Sequence, residues 1–132
     1  MEFARGSYGY IAKKDIATAM DNVGMHPDAA GLYAQQAVEK MLKQYLKEVM
    51  NCSDESVLRS HKLPRLYRAT NLKSLDDQMA ALWEMTDAYF NTRYPGDEFF
   101  DMTVGQAKDF CYVARIVVKV IEGEIEAFRN KR

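Results

Sequence analysis

The sequence predicts an all-α fold, an up-and-down helical bundle of four long helices plus one short helix. Three observations predict it. Apolar residues recur at helical periods along most of the chain, only three prolines interrupt it, and no stretch alternates strictly as a half-buried strand does. Hydrophobic residues make up 48% and charged residues 28%, a globular mixture, so the periods describe a packed core and not a disordered chain. A length of 132 residues suits one domain, 1–132, with one core.

The first helix is expected from about Tyr8 to Met20, closing at Asn22-Val23-Gly24. The second is the clearest. From Ala34 to Met50 apolar and polar pairs repeat every four residues, which only a helix accommodates. A four-residue repeat drifts by roughly 40° per step around a 3.6-residue helix, so its apolar stripe winds and serves several neighbours. This helix therefore belongs mid-bundle, with Pro27 and Asp28 in its first turn. Pro64 restricts the short helix near His61 to Ala69 to start no earlier than an N-cap at His61. Ser74 with Asp77 marks the start of a helix through Met79, Leu82, Trp83, Met85 and Tyr89 that stops before Pro95-Gly96. The last helix opens on a Thr103/Gln106 capping box. Its seam runs Val104, Ala107, Cys111, Ala114, Val118, Ile121, Ile125 and Phe128, and a second row, Phe110, Val113, Val117 and Val120, widens the face enough to suggest a homodimer contact.

Charge narrows the function classes. With 18 basic and 19 acidic side chains the whole molecule lacks the field of a general nucleic-acid or membrane-surface binder. The longest apolar stretch, Cys111 to Ile121, is broken by Arg115 and Lys119, so no spanning helix is expected and a cytoplasmic location is. Cys52 and Cys111 read as two free thiols. No metal site is visible, because the two histidines and two cysteines are scattered, and no cofactor is implied.

Three runs carry a family resemblance: Ala34-Gln35-Gln36-Ala37-Val38-Glu39-Lys40, His61-x-Leu63-x-x-Leu66, and Arg93-Tyr94-Pro95, with Tyr10 through Asp15-Ile16-Ala17 ahead of them. Together they resemble the HEPN domains. The resemblance implies a helical bundle, commonly homodimeric, often encoded beside a minimal nucleotidyltransferase in a toxin–antitoxin-like pair. It implies two branches as well. One consists of metal-independent ribonucleases whose site carries Arg followed after four to six residues by His; the other lacks that pair and binds nucleotides or acts as a helper. Here the arginines nearest before His26 and His61 are Arg5 and Arg59, at other spacings, and Arg59 and His61 would diverge on a helix. The expectation is thus a non-catalytic nucleotide-binding or helper domain, with no catalytic residue assigned. A divergent ribonuclease toxin and a ligand-free dimeric scaffold are the alternatives.

The ligand candidates come from charge and placement. Between Ser56 and Leu75 stand Arg59, Lys62, Arg65, Arg68 and Lys73 without an acid. Lys62, Arg65 and Arg68, three apart, form a strip that suits the phosphates of a nucleotide or RNA, with Tyr67 nearby to stack on a base. The plain alternative is a solvated face paired with Asp97, Glu98 or Asp101. Arg93, Tyr94 and Asp97 occupy a turn where a guanidinium fork can meet phosphate, unless Arg93 merely caps the helix before it and Tyr94 packs on the bundle. Gln36 and Lys40, with Gln35, are placed on the polar side of the second helix, where they offer amide and ammonium contacts or are simply its wet face. His61 is expected to cap or pack at the start of the short helix and borders the same candidate surface.

Overall fold

The computed structural model describes residues 1–131, all helix and connection, with no strand among them. The helices are α1 (Tyr8–Asn22), α2 (Pro27–Glu48), α3 (Glu55–Leu58), α4 (Leu63–Ala69), α5 (Met79–Asn91) and α6 (Val104–Asn130), and a 3-10 turn, Asp76–Gln78, leads into α5. The all-α bundle is as the sequence predicts: four long helices, with α4 as the short one. The single turn α3 was not expected. An Asp54 cap on Ser56 N–H and the buried Leu58 hold it, a device too short to show as periodicity.

α2 is the central helix, packed mainly on α1 and α6 and also on α4 and α5. That placement follows from its winding stripe. Ala30, Ala34, Ala37, Val38, Met41, Leu42 and Leu46 are at most 1% exposed, and together they cover several faces of the cylinder. Each fully buried Met or Leu contributes roughly 1.5–3 kcal/mol. The small residues let neighbours approach closely: a Cβ on Gly31 would land on the Met102 side chain. Asp28, in the first turn, accepts a 2.6 Å hydrogen bond from Met102 N–H and so ties the segment before α6 to the start of α2. At the other end Arg129 of α6 grips the Glu48 carboxylate, 2.5 and 2.7 Å, while its guanidinium also meets the Glu2 carbonyl and the Phe3 ring.

Local signals held at most boundaries. Ser7 caps α1, Pro27 occupies the first turn of α2, and the Thr103/Gln106 capping box is formed in both directions. One start differs. Ser74 does not cap α5, because Leu75 beside it is drawn into the core and its N–H bonds the Tyr67 hydroxyl. α4 keeps within the limit that Pro64 sets: its N-cap is Lys62, one residue after His61, and Leu63 N–H bonds Thr86 Oγ1 of α5. On α6 the seam is buried except Val104, which is exposed, and Phe128, which is half-buried, and the second row packs against the same core: Phe110 and Val117 are buried, Val113 and Val120 half-buried. Trp83, expected among the apolar residues of α5, is 44% exposed beneath the Arg68 guanidinium. Both cysteines are free. Among the described residues no helix is long and apolar enough to cross a membrane.

Candidate functional site

The site is built outward from α2. Gln35, Glu39 and Lys43, one turn apart on one face, are 1%, 3% and 5% exposed, so this polar face points inward. Burial obliges each polar group to find a partner. Lys43 Nζ lies 2.9 Å from Glu39 Oε2; Gln35 Nε2 reaches the His61 carbonyl at 3.2 Å and Glu39 Oε1 at 3.4 Å. The network continues along the helix. Gln36 donates to Gln35 Oε1 at 2.7 Å, and Lys40 donates to Gln36 Oε1 and to Asp15 Oδ2 of α1, 2.8 Å away. Among the described residues no buried side-chain nitrogen or oxygen is left without a partner. Gln36 and Lys40 are therefore not a wet face: they are half-buried members of a chain of hydrogen bonds from α1 to the His61 segment.

His61 stands at the outer end of that chain. Its Nδ1 is 2.9 Å from Glu39 Oε1, and a carboxylate there assigns the proton to Nδ1, which leaves Nε2 as the ring nitrogen that can bond or exchange a proton with a ligand. Its side chain is 47% exposed. The imidazole stacks on Tyr89 of α5, with centroids 5.2 Å apart and planes 25° apart, so His61 packs although it does not cap. Arg93, one helical turn beyond Tyr89, lays its guanidinium 4.4 Å from the centre of the same ring and 5.7 Å from that of Tyr94. It does not cap the carbonyls of α5: the Arg93 side chain goes to the aromatic rings. Tyr94 is 53% exposed and stacks on Phe90, not on the bundle core.

The basic strip follows His61 directly in the chain. Lys62, Arg65 and Arg68 are all exposed on α4, and none forms an ion pair with the described residues, so the expected pairing with Asp97, Glu98 or Asp101 is absent. Arg65 donates to Ser56 Oγ at 3.1 Å. That same hydroxyl and the Ser56 amide bond Asp54 and hold its carboxyl below the usual range, with Arg65 adding a smaller pull. Tyr67, expected to stack on a base, cannot do so, because it is 1% exposed and its hydroxyl is spent on Asp76 and Leu75 N–H. Burial first, then the Asp76 hydrogen bond, pushes its phenol up to about 12. Asp97 lies exposed in the turn, apart from the His61 contacts.

The structure thus brings His61, Arg93 and Tyr94 to one patch around Tyr89, with Lys62, Arg65 and Arg68 following His61 in the chain, and sets Gln36 and Lys40 behind His61. Glu39 and Tyr89 complete it and were not singled out from the sequence. Their signals were modest: Glu39 is four residues after Gln35, and Tyr89 four before Arg93. An imidazole held by a buried carboxylate can exchange a proton with a ligand, and a guanidinium without an acid partner, supported on the same tyrosine, can bind a phosphate. Among known proteins, a family model described as HEPN domain matches residues 9–124. No curated protein and no solved structure matches the chain.

Proposed function

The chain belongs to the HEPN domain family, and from that premise we propose that it is a non-catalytic domain that binds a nucleotide or RNA phosphate at the His61–Tyr89–Arg93 patch. One observation carries the reading. Arg93 and His61, from separate elements, each contact the Tyr89 ring, and His61 leads in the chain directly to the cations of α4, which form no ion pair with the described residues. A guanidinium that no acid neutralises is a ready phosphate ligand, and its aromatic support fixes its direction. Gln36 and Lys40 act from behind through Gln35 and Glu39, while Asp97 borders the turn. In the finer form of the proposal the domain works as a homodimer with a nucleotidyltransferase partner in a toxin–antitoxin-like pair, as the family suggests; light scattering at micromolar concentration checks the dimer.

Fluorescence anisotropy with a labelled single-stranded RNA and with a labelled nucleotide tests the site. Arg93→Ala is expected to weaken binding about tenfold, the worth of one charged hydrogen-bonded contact. Arg65→Ala with Arg68→Ala should weaken RNA binding and flatten its salt slope by about 1.4, at roughly 0.7 per lost phosphate contact. Unchanged affinity and slope in both variants would move the ligand elsewhere.

A second reading has its own support. Glu39 on Nδ1 orients an imidazole as a general base requires, and Arg93 is a cation on the same Tyr89 ring, which supports an Arg/His pair formed from separate elements. Metal-independent RNA cleavage is the corresponding activity. Cleavage that survives EDTA and is lost in His61→Ala would establish this reading over the non-catalytic one.

A further inference from the structure

A different face carries an independent observation. α1 and α6 leave a groove between them whose apolar wall is Ile16, Met20, Tyr112 and Ile116, with a volume of about 500 Å³. A second hollow of about 280 Å³ continues it past Cys111 toward Val23, sharing Met20, Tyr112 and Arg115. Met20 is 47% and Tyr112 68% exposed, although both are residues that a soluble bundle would ordinarily cover. Neither hollow shares a residue with the His61 patch.

The charge along this groove that has no ion-pair partner is positive. Lys108, Tyr112, Arg115 and Lys119 follow one another on α6 at spacings of four, three and four, a single exposed stripe. None of the three cations is in an ion pair with a described residue. The one acid among the lining residues, Glu122, is already held by Lys13 at 2.6 Å. From Lys108 to Glu122 the stripe runs roughly 21 Å at 1.5 Å per residue, the length of about four helical turns.

We propose that this groove receives an amphipathic helix with acidic flanks from a partner protein. The apolar wall takes residues spaced three and four apart, and Lys108, Arg115 and Lys119 face the flanking carboxylates. A second copy related by a two-fold axis through the groove would set the three cations against their own images. Nucleic acid fits less well, because Ile16, Met20 and Ile116 offer base edges no hydrogen bond.

The test is selection from a displayed library of helix-forming peptides about fourteen residues long, with the full chain as bait. Enriched peptides should carry apolar residues at i, i+3 or i+4, and i+7, flanked by Asp and Glu. R115E/K119E, which is expected to fold because both side chains are exposed, should weaken the best synthetic peptide about tenfold or more and, used as bait, select Lys and Arg flanks instead. His61→Ala and Arg93→Ala should leave peptide binding unchanged, which separates this surface from the phosphate patch. Four results would overturn the proposal: no enrichment, neutral or basic flanks on the parent chain, a peptide affinity indifferent to R115E/K119E, or self-association of the chain that this variant abolishes. The last would assign the groove to a second copy presenting the exposed Trp83, Glu84, Asp87 and Phe90 of α5.

Discussion

Two polar stripes look alike in the sequence and live in opposite environments. On α2, Gln35, Glu39 and Lys43 follow one another at helical spacing and are buried; on α6, Lys108, Arg115 and Lys119 do the same and are exposed. The difference lies in the number of neighbours. α2 has helices on several sides, so its polar face has no water to meet and every group is paired inside. α6 turns its polar face outward, and there the cations stay unpaired. A buried stripe holds something in place; an exposed one waits for a partner.

The comparison breaks most visibly at Glu39. Glu39→Ala would leave Lys43 charged and unpaired inside the bundle and release His61, so urea unfolding at neutral pH should show a loss of about 3 kcal/mol or more. Replacing both partners at once, Glu39→Leu with Lys43→Met, should recover much of that loss, because no lone charge is left. Recovery without return of RNA binding would show that the pair serves the site and not the fold.

Tyr67 extends the rule to a polar group buried outside α2. Its phenol is neutral up to about 12 in the fold and up to about 10 in the unfolded chain. The native state therefore holds the proton more tightly. Tyr67's contribution to stability is fully present below about pH 10 and is lost as pH rises through about 12. Unfolding curves between these limits should fall with pH in the parent chain and fall less steeply in Tyr67→Phe, which would also lose about 1 kcal/mol at neutral pH with its two hydrogen bonds. Equal slopes would mean that Tyr67 opens to solvent before it ionises.

The two faces of α6 can be compared within one helix. Cys111 is 6% exposed, and burial pushes its thiol up against a smaller opposing pull from Arg115, whereas Cys52 is half-buried in the connection after α2. A thiol reagent at neutral pH should therefore modify Cys52 first and Cys111 only on unfolding, as peptide mass mapping would show. Early labelling of Cys111 would mean that the α1–α6 groove opens. The smallest effect belongs to the exposed stripe: Arg115→Ala with Lys119→Ala should change stability by less than about 0.5 kcal/mol. A larger loss would make that stripe part of the fold.

Much of the bundle was legible because its causes are local. The period of α6, the Thr103/Gln106 box, Pro27 at the start of α2 and the stop after Asn22 each depend on residues within a turn or two of one another, and each appears where the sequence places it. α3 was not legible, since one turn has no period, and neither was the start of α5, where the pull of the core on Leu75 overrode the Ser74 signal. For the site the division is sharper. The sequence alone marked His61, Arg93 and the cations of α4, because charge and turn residues are visible one at a time. Only the tertiary structure decided that His61 and Arg93 share the Tyr89 ring, that Glu39 stands behind the imidazole, and that Gln36 and Lys40 face inward. Periodicity tells which residues lie on one face of a helix. Whether that face meets water or protein depends on how many other helices surround it, a property of the packed bundle that no single helix encodes.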